Sequence, residues 1–260
     1  MATVIDKMAQ VHPDAQIGED CYIGPFCVIS AGSKIGDGTS LQSHVVVDGN
    51  TTIGKNCKVF PFASIGTQSQ DLKWKEGNNC FTTVGDNTMI REYVTIHAGT
   101  DDGTYTKVGN NCALLALSHV GHNCEVGNDV VLSHNATLGG HAIIGDHANI
   151  GGLSAVHQFC QVGRNAMVAG MARLVQDVLP FTIVEGTPAS MRIINKIGME
   201  RHGFSKEEIS IAQKCYKILF MRKLKLDEAL EQINADFPDS DVAKEMVTFA
   251  QGATRGLARK

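Results

Sequence analysis

The sequence predicts a mainly β chain wound as a parallel β-helix, a triangular prism, with a C-terminal α-helical domain. Three observations carry this. An aliphatic residue recurs every six positions at Val11, Ile17, Ile23, Ile29, Ile35, Leu41, Val47, Ile53, Val59 and Ile65. It returns at Val84, Ile90 and Ile96, and then runs without a break from Val108 to Leu174. Gly often follows it (IGEDCY, IGPFCV, IGKNCK, VGNDVV), and a small or apolar residue usually stands four positions after it. Aromatics are only 6% of the 260 residues while Gly numbers 27, as suits a core too narrow for rings. A hexad period sustained this long marks short strands stacked coil on coil.

Taken in chain order, residues 1–190 form the solenoid, with the beat starting at Val11. Three hexads make one triangular coil of 18 residues, so 25 beat residues give eight coils or a little more, stacked about 4.8 Å apart. Two interruptions fall near 66–83 and 97–107. The first carries TQSQDLKWKEGNN and sets Val84 19 positions after Ile65, one more than a full coil; the second carries HAGTDDGTYTK. Both read as loops thrown out from the prism, and long loops on a rigid scaffold are usually functional. Residues 191–260 change period. Ser205 and Glu208 form a capping-box pattern. Ile209, Ala212, Tyr216, Leu219 and Phe220 follow at helical spacing. Leu226, Ala229, Leu230 and Ile233 predict a second helix ended by Pro238, and Val242, Met246, Phe249 and Ala250 a third.

The net charge of −4 argues against nucleic-acid binding by the whole molecule. The charge is uneven: residues 191–260 hold 13 Lys and Arg against 10 Asp and Glu, a net +3, which leaves −7 for the rest. Of the eight cysteines, Cys21, Cys27, Cys57, Cys112, Cys124 and Cys160 stand four positions after a beat residue, and no CxxC pair occurs. They read as small core side chains, and so many free thiols suit a reducing, cytoplasmic setting. The N-terminus lacks an apolar signal region, and no run reaches the ~20 apolar residues of an integral membrane segment.

The period turns histidine positions into angles around the coil. Counted from Val108, His122 falls at coil position 14, His141 at 15 and His157 at 13, on one edge of three consecutive coils. Gly140 and Gln158 share position 14. His119, His134 and His147 fall elsewhere and read as structural or interfacial; His12 reads as a surface residue. A column of imidazoles supports two chemistries, general-base catalysis or metal ligation as in a zinc site. The inserted QDLKW loop and the helical appendage favour a bulky substrate and so the first.

Several stretches, HVVVDGNTTIG, FASIGTQSQDLKW, REYVTIHAGT, VGHNCEVGN, ATLGGHAIIGD, GGLSAVHQFCQVG and RHGFSKEEI, span essentially the full length. In them the chain resembles the UDP-N-acetylglucosamine O-acyltransferases, which catalyse the first step of lipid A biosynthesis. The resemblance implies a left-handed prism and a homotrimer with sites between neighbouring prisms. It implies transfer of a 3-hydroxyacyl chain from acyl carrier protein to the glucosamine 3-hydroxyl of UDP-N-acetylglucosamine, with no cofactor, no metal and no acyl-enzyme. His122 matches the family's general base and Gly140 its oxyanion donor. Gln70, Asp71, Lys73, His141, His157, Gln158, Asn195 and Arg201 match substrate-binding positions, and a residue near Gly170 helps end the acyl groove.

The chain departs from this pattern at three positions. Asn123 stands where relatives often carry Asp after the base, Ile197 where some have an acidic nucleotide contact, and His202 in place of a second Arg after Arg201. Lys206, Lys214, Lys217, Arg222, Lys223 and Lys225 offer an acidic carrier protein a docking face. Three rivals differ in a checkable feature. The sister N-acyltransferase has an additional N-terminal domain, a γ-type carbonic anhydrase would need stoichiometric zinc, and a bare scaffold would have no use for the histidine column.

Overall fold

The computed structural model describes residues 2–258. Most hexads become two-residue strands whose first side chain faces out and second faces in. Tyr22 is thus exposed while Ile23 is fully buried. The strands build three walls of a left-handed prism. The first wall has 11 strands, running from Val4–Ile5 through Tyr22–Ile23 and Ser40–Leu41 to the hairpin Thr182–Gly186 and Ala189–Ile194. The second has nine, from Gln10–Val11 to Arg173–Leu174, and the third eight, from Gln16–Ile17 to Gln161–Val162. Apart from the antiparallel hairpin that ends the first wall, consecutive strands of a wall pair in parallel, as Ile23 with Leu41 and Val108 with Val126, 18 positions apart. The winding begins one hexad before Val11, because Val4–Ile5 pairs with Tyr22–Ile23.

The two interruptions are loops, but the first does not hold an extra coil. Asn50 pairs with Phe81, 31 positions on instead of 18, so 13 residues leave the winding. Phe81 pairs with Tyr105, 24 positions on, so the second insertion removes six. The strands beside them lengthen to four residues, Phe81–Val84 and Tyr105–Val108, which trims the loops to 68–80 and 98–104. Both loops leave the same corner, between the second and third walls.

From Asp20 onward nearly every corner contains a residue in the left-handed region. From the third wall to the first these are mostly Asp, Asn and Gly, such as Asp20, Gly38, Asn56, Asn87 and Asn111, types that accept that conformation. From the first wall to the second they are Phe26, His44, Phe62, Tyr93, Leu117, Asn135, Leu153 and Met171. Phe26, His44, Phe62 and Tyr93 stack with centroids 4.9, 4.8 and 5.0 Å apart. Leu153 and Met171 are 59% and 73% exposed. Large side chains held left-handed cost roughly 1–2 kcal/mol each, and here much of their surface still faces solvent.

All eight cysteines are buried and unpaired. The thiol of Cys124 donates to Gly139 O at 3.2 Å, and burial pushes its pKa up to about 12, so these thiols pack and do not react. The C-terminal part has four helices among the described residues: α1 (Lys196–Arg201), α2 (Lys206–Met221), α3 (Leu226–Asp236) and α4 (Asp241–Gly252). The short α1 is not among the three that the sequence predicts. Ser205 caps α2 with the reciprocal Glu208 contact in place. Phe181, fully buried, meets Phe204 edge-on at 5.4 Å. The Arg164 guanidinium covers both rings and grips Glu245 of α4 through bonds of 3.0 and 2.6 Å, fixing the helices to the prism. The buried Asp177 carboxylate accepts from the Gln161 and Arg255 N–H groups and ties down the chain end. Arg259 and Lys260, counted in the basic tail, lie outside the described residues.

Candidate active site

The corner between the second and third walls carries His122, at coil position 14, followed by Asn123 in the left-handed turn conformation. Its ring Nδ1 lies 3.0 Å from Asn123 Oδ1. The same oxygen accepts the Thr100 N–H at 3.1 Å. An atom that accepts a backbone N–H is the amide oxygen, so His122 Nδ1 must carry the proton. In the neutral ring the lone pair is then on Nε2, which lies 4.0 Å from Asp71 Oδ2. Asn123 thus sets the tautomer without supplying charge, and the carboxylate near the ring comes from the inserted loop.

One coil on, His141 meets His122 edge-on with centroids 5.2 Å apart, and Phe159 stacks on His141 at 4.6 Å. The column is therefore two imidazoles and a phenyl ring. His157 shares the corner but is exposed and does not line the cavity; its Nδ1 stands 3.0 Å from Gln158 O and 3.4 Å from Arg255 Nη2. Gly140 abuts the His122 ring so closely that a Cβ there would lie 2.3 Å from Nε2. Only Gly fits. Among the described residues no protein acceptor is found for the Gly140 N–H.

Gln70, Asp71, Lys73, His122, Gly140, His141 and Gln158 line one cavity of about 720 Å³. The loop that brings the first three is held by hydrogen bonds to the second insertion and to itself: Ser69 Oγ to Thr100 Oγ1 at 2.6 Å, the Asp71 N–H to Ser69 Oγ at 3.1 Å, and the Lys73 N–H to Asp71 Oδ1 at 2.9 Å. Sequence reasoning missed His97 and Asp101, and it assigned His119 a structural or interfacial role; all three line this cavity. His97 donates from Nδ1 to Gln68 O at 2.6 Å and His119 Nδ1 pairs with Thr95 Oγ1 at 2.8 Å. Once the six inserted residues are allowed for, His97 stands at coil position 13, a count that starting from Val108 could not reach. Burial, then His97 and His122, hold the His119 pKa down to about 4. Burial and His122 also lower that of His141. Both rings are therefore neutral at neutral pH.

Asn195 and Arg201 are not brought to this cavity. They line another, of about 670 Å³, on the corner between the third and first walls, with His147, Asp129, Ile197 and His202. Asn195 caps α1 through its side chain, which aims the helix N-terminus and Arg201 at that space. Among the described residues no three His, Cys, Asp or Glu side chains converge as a set that could hold a metal, and no helix is long and apolar enough to cross a membrane.

A family model described as Udp N-acetylglucosamine O-acyltransferase, domain 2, matches residues 177–258, and the bacterial transferase hexapeptide model matches 2–31, 14–49 and 105–140. An acyl-(acyl-carrier-protein)-UDP-N-acetylglucosamine O-acyltransferase of Akkermansia muciniphila is 46% identical over 255 residues, 97% of this chain and 98% of the relative. One from Thermodesulfovibrio yellowstonii is 42% identical over 256 residues, 98% and 99% of the two chains. The solved UDP-N-acetylglucosamine acyltransferase of Francisella novicida superposes with a TM-score of 0.96 at 37% identity, covering 99% of this chain and 94% of that one.

Proposed function

Because the chain belongs to the UDP-N-acetylglucosamine O-acyltransferase family, we propose that it transfers a 3-hydroxyacyl chain from acyl carrier protein to the 3-hydroxyl of UDP-N-acetylglucosamine, the first step of lipid A biosynthesis. The observation that carries this reading is the position of His122, whose Nδ1–H is held by Asn123 so that the neutral ring turns its Nε2 lone pair to the cavity. Nε2 takes the proton of the sugar hydroxyl as that oxygen attacks the thioester carbon. The C–O bond forms, the carbonyl π electrons move to oxygen, and the Gly140 N–H donates to the resulting oxyanion. Donors of this kind are worth roughly 3–4 kcal/mol. Collapse breaks the C–S bond, and the thiolate of the carrier arm leaves with the proton that His122 had accepted. Asp71, Gln70 and Lys73 hold the sugar from the loop side; His141 and Gln158 hold it from the prism. No cofactor enters any step.

The site is shared between copies in this reading. The sugar-side residues and the Asn195–Arg201 pair occupy different corners of one prism, so a neighbouring copy must bring the two sets together. A homotrimer does this, and its interface covers the apolar corner of Phe26, Phe62, Tyr93, Leu117, Leu153 and Met171, whose exposure in the single chain is otherwise unexplained. The exposed Lys206, Lys214, Lys217, Arg222, Lys223 and Lys225 on and after α2 receive the acidic carrier. The test is direct transfer: purified protein, UDP-N-acetylglucosamine and carrier thioesters of varied chain length, with product mass measured. The expected product is the nucleotide sugar plus one 3-hydroxyacyl group, ester-linked. Absence of any acylated nucleotide sugar across the chain lengths would refute the reading.

A further inference from the structure

A second pair of rings stands on the corner between the third and first walls. His147 occupies a left-handed corner position there. His202, just past the end of α1, stacks on it with centroids 4.3 Å apart. His202 Nδ1 is hydrogen-bonded to Asn165 Oδ1, and Asn165 is fully buried. His147 Nδ1 is buried without a hydrogen-bond partner among the described residues, and the Asp129 carboxylate lies 3.9 Å from it. Both rings line the cavity that holds Asn195 and Arg201.

The charges facing the pair are few. Asp129 comes from the same corner and Arg201 from α1, while Lys196 and Glu200 of α1 neutralise each other at 3.6 Å. Burial, then His147, lower the His202 pKa, and Asp129 opposes them. Two imidazolium rings at stacking distance repel, so the pair accommodates one proton and resists a second. In the free protein the His202 ring is neutral near pH 7, and Arg201 is a permanent cation of the cavity wall with no carboxylate partner among the described residues.

We propose that His147 and His202 complete the anion subsite by taking up one proton, shared between the stacked rings, from solvent when the diphosphate of the nucleotide sugar binds. The inference rests on reading this cavity as the nucleotide site. It follows from the chemistry that a phosphate beside the rings favours the protonated form, and that binding tightens as pH falls. The position after Arg201 thereby becomes a cation only when the ligand is present.

Calorimetry tests this with the full-length chain and UDP-N-acetylglucosamine in the absence of acyl donor. The pyrophosphate diester does not itself titrate between pH 6 and 8. Titrations at pH 7 in buffers of different ionisation enthalpy should show net uptake approaching one proton per site, and affinity should rise from pH 8 to pH 6 by at most about tenfold per unit. His202→Gln should abolish most of the uptake and flatten the pH dependence, while His202→Arg should flatten it with binding kept. These variants leave His122 and His141 in place, so uptake at the sugar end would survive them. No uptake by the wild type, or uptake unchanged in His202→Gln, would overturn the inference. Arg201→Ala separates the levels. If it binds like wild type, the nucleotide reading of the cavity fails and takes the proposal with it; if it binds weakly while wild type shows no proton uptake, the proposal alone fails.

Discussion

His122 differs from the other rings of its corner in that its Nδ1 is held by a side-chain amide while Nε2 lies beside Gly140 and the loop carboxylate. Asn123 Oδ1 accepts from His122 Nδ1 and from the Thr100 N–H, so Asn performs the orienting half of a carboxylate's work. Removing the proposed base in His122→Ala should lower kcat by about 10²–10⁴-fold with KM for the nucleotide sugar little changed; steady-state kinetics on protein of unchanged assembly size reads this. Gly140→Ala should lower kcat at least 100-fold in the same assay, because the new Cβ would lie 2.3 Å from Nε2 and the ring must turn away. His119 gives a pH signature. Its folded pKa of about 4 lies below the ordinary imidazole value of 6.5, so the unfolded chain binds the proton first. The corresponding stability is complete above pH 6.5 and is lost as pH falls toward 4, by up to roughly 3 kcal/mol. His119→Gln should make the loss of urea resistance between pH 7 and pH 4.5 shallower; an unchanged slope would remove His119 as its source. The hexad count located His122, His141 and Gly140 from residue numbers alone. It placed His157 on the right corner, yet a corner spans three positions facing different ways, and position 15 in that coil holds Phe159.

At the level of elements, what the sequence states most clearly is what repeats. Each beat residue is an inward strand residue because a two-residue strand has only one inward side, and the cysteine slot is buried because the coil leaves no water behind the corner. Ser205 was legible as a cap because capping is local: its hydroxyl accepts from the Glu208 N–H at 3.2 Å and Glu208 returns a bond to the Ser205 N–H at 2.7 Å. Ser205→Ala should lower stability by about 1 kcal/mol, seen as a shift in denaturant midpoint with no change in slope. The short α1 gave no periodic signal, since six residues with Met199 alone buried cannot show a face. It exists because Asn195 is pinned to Asn165 O at 2.9 Å and caps Gly198. The loop bounds narrow from 66–83 and 97–107 to 68–80 and 98–104 for a related reason. The distance between beat residues counts inserted residues but cannot say whether they wind, and only the pairing of Asn50 with Phe81 shows that 13 do not.

The prism as a whole is an acyltransferase of the UDP-N-acetylglucosamine family with its polar machinery on two corners and an apolar ladder on the third. Nothing in the hexad count reveals that ladder, because the corner residue is read as a turn former whatever its size; the left-handed φ of Phe62, Leu117 and Leu153 gives it meaning only beside their exposure. The proposed burial of this corner between copies predicts that Leu117→Asp with Leu153→Asp dissociates the assembly, as measured by sedimentation, with loss of activity in parallel. The account's central claim is that the His122 of one chain works with the Arg201 of the next. Its most direct test is the transfer rate of a mixed assembly, made by unfolding and refolding His122→Ala and Arg201→Ala chains together. Each variant alone should be nearly inactive, and the equal mixture should regain about a quarter of the wild-type rate per site, since random closure of a ring puts two intact halves together that often. A mixture no more active than its parents, despite proven mixed assembly, would contradict the account.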